Sequence, residues 1–160
     1  ENSKLHLDIL GKGTEKEQIL QHIKQNDMEQ HVTMCGQVTM DEYYQKMADC
    51  DCVLNPCLKE GAVTTAFDSM SFSKPLVCID TGGYTRYFDN DCAIVIPREG
   101  REEVIRNLVN AILRMTDPAE RKRLGDEAHK RGLDYTWAEK GKSIYETITK
   151  AYREYKASQH

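Results

Sequence analysis

Apolar residues along the chain follow two periodicities in alternation. Leu5-His6-Leu7-Asp8-Ile9-Leu10 alternates apolar and polar side chains and runs into Gly11-Lys12-Gly13, the pattern of a strand and turn. Thr14 and Glu17 have capping-box spacing, and Ile19, Leu20 and Ile23 follow on one helical face. Val32-Thr33-Met34-Cys35 predicts a second strand closed by Gly36, and Thr39 with Glu42 opens a helix running through Met47. Cys52-Val53-Leu54 is a short apolar strand ended by Asn55-Pro56, and a loop over 57–62 leads into a helix near 63–72. Pro75-Leu76-Val77-Cys78-Ile79 and Ala93-Ile94-Val95-Ile96 are further continuous apolar strands.

Helical spacing takes over beyond Pro97. Val104, Ile105, Leu108, Val109, Ile112 and Leu113 predict an amphipathic helix. Asp117-Pro118-Ala119-Glu120 combines an N-cap, a first-position proline and a capping Glu. Thr136 and Glu139 open the last helix, with Trp137, Ile144, Tyr145, Ile148 and Tyr152 on its apolar side. Strands alternating with helices predict a parallel α/β sheet covered by helices on both faces. No repeat, low-complexity segment or composition break divides the chain, so residues 1–160 are expected to form a single domain.

Composition narrows the function classes. The chain has 160 residues, 39% hydrophobic and 30% charged, which is enough for one buried core. Twenty-two basic against 26 acidic residues give a net charge of −4, which disfavours non-specific binding to nucleic acid. Its apolar runs fall far short of the roughly 20 residues that span a bilayer. Glu1-Asn2-Ser3-Lys4 carries no signal-peptide apolar region, so a cytoplasmic location is expected. Six cysteines, Cys35, Cys50, Cys52, Cys57, Cys78 and Cys92, form no Cys-x-x-Cys pair and have no histidine at zinc-finger offset. Most lie in or beside strand-like runs, so they are expected to be reduced and structural, with no metal site.

In open parallel sheets, ligands bind at the carboxyl ends of the strands. The richest such loop runs from Asn55 to Asp68. Its small residues and threonines leave backbone N–H groups at a helix start, which favours a phosphate. Glu60 lies at its mouth and Asp68 about a turn into the helix, so both carboxylates can accept hydrogen bonds from the hydroxyls of one ligand. Lys12, Lys59, Tyr84 and Arg86 sit near the same class of loop, each also compatible with a solvated or packing role. The five histidines show no mutual spacing that suggests a catalytic set.

These residues carry a resemblance. Glu60-Gly61, Asp68-Ser69-Met70, Ser73-Lys74-Pro75-Leu76-Val77 and Asp80-Thr81-Gly82-Gly83 resemble the donor-site signature of retaining GT-B glycosyltransferases, chiefly glycosyltransferase family 4. That signature is a Glu, seven residues, a second Glu, then a small-Gly-Lys-Pro-Val-Val strand and a Gly-Gly turn. Leu7 to Glu15 resembles the family's Gly-x-Gly-x-Glu loop, and Val32 to Val38 its Val-x-Phe-x-Gly-x-Val strand. Ala48 to Pro56 resembles its Ala-Asp-strand-Pro element, and Tyr135-Thr136-Trp137 its Phe-Ser-Trp. The matches are collinear over nearly the whole chain.

The resemblance implies a Rossmann-like, doubly wound domain that binds a nucleotide diphosphate sugar and serves transfer of the sugar to an acceptor hydroxyl with retention. By position, Glu60 is the catalytic carboxylate and holds donor-sugar hydroxyls. Amides at Gly61, Ala62, Val63, Thr64 and Thr65 hold the sugar and diphosphate. Asp68 holds the ribose, and Gly36, Gln37 and Val38 lie beside the base. No metal and no cofactor beyond the donor substrate is implied. Asp68 is one methylene shorter than the family Glu, Ser73 stands where Gly is usual, and Arg86 where a Glu usually follows the Gly-Gly turn. The family's domain begins with a strand ending in Gly-Arg followed by a Lys, and none precedes Leu5. The resemblance therefore implies a fragment of a two-domain enzyme whose N-terminal domain meets a glycan or lipid acceptor and which is compatible with peripheral membrane association; the alternative is that the strands close up, or exchange between chains, to fill the gap. The alternatives are a degenerate, non-catalytic binding or scaffold module and, less favoured, an epimerase of the same fold.

Overall fold

The structure is a computed structural model, describing residues 5–59, 64–81 and 83–158. Its elements run β1 (Leu7–Leu10), α1 (Lys16–Gln25), β2 (Val32–Gly36), α2 (Met40–Asp49), β3 (Val53–Asn55), α3 (Thr64–Ser71), β4 (Leu76–Ile79), β5 (Ala93–Ile96), α4 (Arg101–Arg114), α5 (Pro118–Gly132) and α6 (Trp137–Ala157). Short 3-10 turns cover Tyr84–Arg86 and Leu133–Tyr135. The chain divides into two compact units, Glu1–Lys46 and Met47–His160.

In the first unit β1 pairs with β2 in parallel, Leu7 opposite Val32 and Ile9 opposite Met34. α1 lies on this pair and buries Ile23. It stands off far enough to leave an open groove among Leu7, Ile9, Ile19, Met28 and Val32. The opposite strand face is polar: Lys46 Nζ meets Asp8 Oδ2 at 2.6 Å, and His6 Nε2 lies 2.9 Å from Thr33 Oγ1.

In the second unit the strand order is β3-β4-β5, all parallel, with Leu76 opposite both Val53 and Ala93. All four residues of β4 are buried, as expected of a central strand with helices on both faces. Val77, Ile94 and Ile96 pack with Ala111 of α4, Met115 just past its end, and Leu124 of α5. The parallel α/β fold expected from the alternation is therefore present, and the strand bounds agree with the sequence to within two residues.

The helix starts differ from one another. Thr39 and Glu42 close their box in both directions: Thr39 N–H donates to Glu42 Oε2 at 2.7 Å and Glu42 N–H to Thr39 Oγ1 at 3.3 Å. The Thr39 N–H and the Thr39 hydroxyl, both donated to the carboxylate, hold the Glu42 carboxyl below its ordinary value. Asp117 caps α5 by accepting from Ala119 N–H at 2.9 Å, and Thr136 caps α6 by accepting from Glu139 N–H. The box expected at Thr14 does not form: α1 starts at Lys16 with Glu15 as its cap, and the Thr14 hydroxyl bonds the Glu15 carboxylate. Glu120 is not a cap either, because Arg114 and Arg123 take its carboxylate.

Two apolar helix faces are only partly covered. On α4, Val104 and Ala111 are buried, whereas Ile105, Val109 and Leu113 remain half exposed. α6 buries no residue: Trp137 is 92% exposed, and Ile144, Tyr145, Ile148 and Tyr152 face water. No described helix is long and apolar enough to cross a membrane.

Candidate functional site

Parallel strands place their carboxyl ends on one edge of each sheet, so the loops that follow them gather there. In the second unit that edge begins at Asn55, the last residue of β3 and a buried polar side chain. Its Oδ1 accepts the Cys57 N–H at 3.2 Å, an Asx turn across Pro56. Leu58 and Lys59 follow, exposed. Glu60, Gly61, Ala62 and Val63, the expected catalytic carboxylate and the first three donor-binding positions, lie outside the described residues.

α3 opens directly after them. Thr64 is exposed and Thr65 and Asp68 are half-buried, with Thr64 and Asp68 one turn apart on one side. Ala66, Ser69 and Met70 face the core, and Ser69 Oγ donates to the Ala66 carbonyl at 2.6 Å. The helix thus separates an inward face of Ala66, Ser69 and Met70 from a face carrying hydroxyls and one carboxylate.

α3 ends in a Schellman turn. Lys74 N–H donates to the Ser69 carbonyl at 2.8 Å and Ser73 N–H to that of Met70 at 3.1 Å. Ser73 takes the left-handed φ of 53° this turn demands, which gives the physical reason that glycine suits the position. Lys74 reaches from the turn to the Ala48 carbonyl at 2.7 Å, satisfying the last turn of α2.

The β4 end supplies the neighbouring loop. Asp80 N–H donates to the Ile96 carbonyl at 2.7 Å, extending the β4–β5 pairing by one residue. Gly82 lies outside the described residues, and Gly83 leads into the turn Tyr84–Arg86. Tyr84 is 1% exposed and packs beside Phe88, so its ring belongs to the core. Arg86 is exposed. Burial pushes the Cys78 thiol, two residues before Asp80, up to about 12, and Asp80 adds to the shift.

In the first unit the corresponding edge holds Gly36 at the end of β2, Gln37 and Val38 after it, and the Gly11–Thr14 loop after β1. Gly11 N–H donates to the Gly36 carbonyl at 2.7 Å, joining the two loops. Gly11 and Gly36 have φ of 118° and 71°, and a side chain at either would meet no atom within 4 Å. Backbone conformation rather than space therefore selects glycine here. Gln37 is exposed and Val38 half-buried. The structure thus gathers Thr64, Thr65 and Asp68 at one edge, and Gly36, Gln37 and Val38 at another.

All six cysteines are free. Among the described residues no three His, Cys, Asp or Glu side chains converge as a metal site. Two features of the site had no signal in the apolar pattern. One is the buried amide of Asn55. The other is an aromatic cluster in which Phe67 of α3, Tyr87 and Tyr135 meet edge to face.

Comparison with known proteins supplies the remaining context. Residues 1–131 match the family described as glycosyl transferases group 1. No curated protein sequence matches the chain. Among solved structures, a mutant of S. aureus TarM in complex with fondaparinux, alpha-GlcNAc-glycerol and UDP aligns over 93% of this chain and 29% of its own, at 18% identity and TM-score 0.75. Anabaena HepE in complex with UDP aligns over 91% of this chain and 41% of its own, at 19% identity and TM-score 0.74. The pneumococcal O-GlcNAc transferase GtfA in complex with UDP and GlcNAc aligns over 94% and 29%, at 17% identity and TM-score 0.75. The chain thus spans well under half the length of these proteins, and the likeness establishes a shared fold, that of GT-B C-terminal domains. With most of its length matched by one family, the chain belongs to the glycosyl transferases group 1 family.

Proposed function

We propose that the chain is the donor-binding part of a retaining glycosyltransferase that moves a sugar from a nucleoside diphosphate sugar to an acceptor hydroxyl. The observation that carries this reading is the family match over residues 1–131, which includes every donor-site position named from the sequence. The placement of Thr64, Thr65 and Asp68 at the start of α3, on the carboxyl edge of a parallel sheet, agrees with it. Similar structures hold UDP or UDP-glucose, which makes uridine the first base to test.

In this reading the bond from the anomeric carbon to the diphosphate oxygen breaks as the acceptor oxygen bonds the anomeric carbon. The acceptor proton leaves to the departing diphosphate. Charge grows on the diphosphate, and N–H groups at the start of α3 oppose it without a metal. Glu60 orients the sugar hydroxyls and Asp68 the ribose, while Gly36, Gln37 and Val38 border the base. The acceptor side belongs to an N-terminal domain that meets a glycan or lipid, and the enzyme works in the cytoplasm at the membrane surface.

Titration calorimetry with UDP, UDP-glucose, GDP and ADP tests the reading. Saturable binding of a nucleoside diphosphate, weakened about tenfold by Asp68→Ala through loss of two ribose hydrogen bonds, is expected. Absence of binding by all four nucleotides overturns it and leaves a non-catalytic module of the same fold.

A further inference from the structure

α3 packs against α5. Its C-terminal end is gripped by α5. A Cβ on Gly125 would lie 2.1 Å from the Ser73 carbonyl oxygen, and one on Gly132 would lie 2.9 Å from the Met70 Cβ. His129 Nδ1 lies 3.2 Å from the Met70 carbonyl oxygen. Toward the N-terminal end, where Thr64, Thr65 and Asp68 sit, the described ring contacts all pass through one side chain, Phe67.

Phe67 belongs to a triangle of rings with Tyr87 and Tyr135, and its centroid also lies 6.5 Å from that of buried Phe88. The Phe67 centroid lies 5.0 Å from that of Tyr87 at 71° and 5.8 Å from that of Tyr135 at 64°. Tyr87 and Tyr135 complete the triangle at 5.3 Å and 79°. Edge-to-face contacts at these separations are attractive and directional. Tyr87 follows the turn Tyr84–Arg86 at the end of β4, and Tyr135 closes the 3-10 turn after α5. The far side of the Tyr87 segment is pinned by Arg131, which donates to the Tyr87 carbonyl at 3.4 Å and to Asp89 Oδ2 at 2.6 Å. α3 and the segment that follows the Tyr84–Arg86 turn are therefore held to each other through Phe67 and Tyr87. Tyr135 is the third member, contributed by an element with no residue at the donor edge.

We infer that Tyr135 is a positioning residue for the nucleoside diphosphate sugar: it seats Phe67 against Tyr87 and so fixes the start of α3, with Asp68 on it, relative to the turn after β4. This rests on the donor-binding reading above. Tyr135 touches no ligand in it, and its phenol hydroxyl is not needed. The ring alone carries the effect.

The test compares UDP binding by calorimetry and melting temperature for the parent chain, Tyr135→Phe, Tyr135→Leu, Tyr135→Ala and Val104→Ala. Val104 is buried on α4, a helix that packs on β4 and β5. Tyr135→Phe keeps the dissociation constant within about twofold of the parent, whereas Tyr135→Leu and Tyr135→Ala raise it about fivefold or more. Val104→Ala lowers the melting temperature without raising the constant. If Tyr135→Ala does not fold, Tyr135→Leu decides by the same criterion. A parent-like constant for the folded non-aromatic variant, or an equal rise for Val104→Ala, overturns the inference while leaving the donor-binding reading intact. A parent chain that binds no nucleoside diphosphate removes that reading and the inference together.

Discussion

Gly125 on α5 rests against the main chain of Ser73, so close that a methyl group on Gly125 would sit 2.1 Å from the Ser73 carbonyl oxygen. The oxygen belongs to the backbone of a hydrogen-bonded turn and cannot swing aside as a side chain would. Gly125→Ala therefore pushes α5 off α3. The expected loss is about 2 kcal/mol, or roughly 4–8 °C in melting temperature, read by thermal or urea unfolding.

The other partner in that contact predicts the opposite sign. Ser73 holds a φ of 53°, and a non-glycine residue there is strained. Ser73→Gly removes the strain but enlarges the unfolded ensemble, which offsets part of the gain. A net stabilisation of about 0.5–1 kcal/mol is expected in urea.

Acid tests the cluster on α4 and α5. Hydrogen bonds from Arg123 and Arg114 lower the Glu120 carboxyl from 4.5 to about 2. A carboxyl depressed in the folded state contributes stability that is complete above its unfolded value and lost as pH falls through its folded value. Stability should decline from about pH 4.5 to pH 2, by about 1 kcal/mol for a solvent-screened network of this kind. Glu120→Gln should flatten that part of the pH profile, measured by urea unfolding at stepped pH.

The thiols predict a labelling order. Burial pushes Cys78 up to about 12 and Cys52 to about 11, and also raises Cys92. Since the thiolate is the reactive form, Cys78 and Cys92 should resist iodoacetamide at pH 8 in the folded chain. Both should label promptly in denaturant, and peptide mass spectrometry locates each adduct. Rapid native labelling of Cys78 would contradict its burial.

How far the sequence foretold the molecule can be seen in particular residues. Leu76 to Ile79 is a continuous apolar run because β4 is covered on both faces, so periodicity located it. The two Thr-Glu pairs at 14 and 39 look alike in sequence, yet only the second closes. Gly13 accepts the Lys16 N–H, so the chain turns into α1 one residue later and Thr14 faces a carboxylate instead of an amide. On α4 the apolar positions were legible, but spacing does not say which stripe the sheet covers. Val104 and Ala111 are buried, and Ile105 and Val109 are half exposed. At the site, ordered motifs marked Thr64, Thr65 and Asp68. The Phe67–Tyr87–Tyr135 triangle joins residues far apart in sequence, which local pattern cannot pair.

The bare face of α6 has a consequence for handling the protein. Twenty-one residues rise about 30 Å along the helix axis, and along that length Trp137, Ile144, Ile148 and Tyr155 stay in water. Solutes excluded from protein surface raise the free energy of such area, so ammonium sulfate should salt the chain out at unusually low concentration. Ile148→Lys adds charge to the middle of the stripe, with no buried neighbour on α6 to disturb, and should move the precipitation point upward while leaving the parallel-strand core untouched.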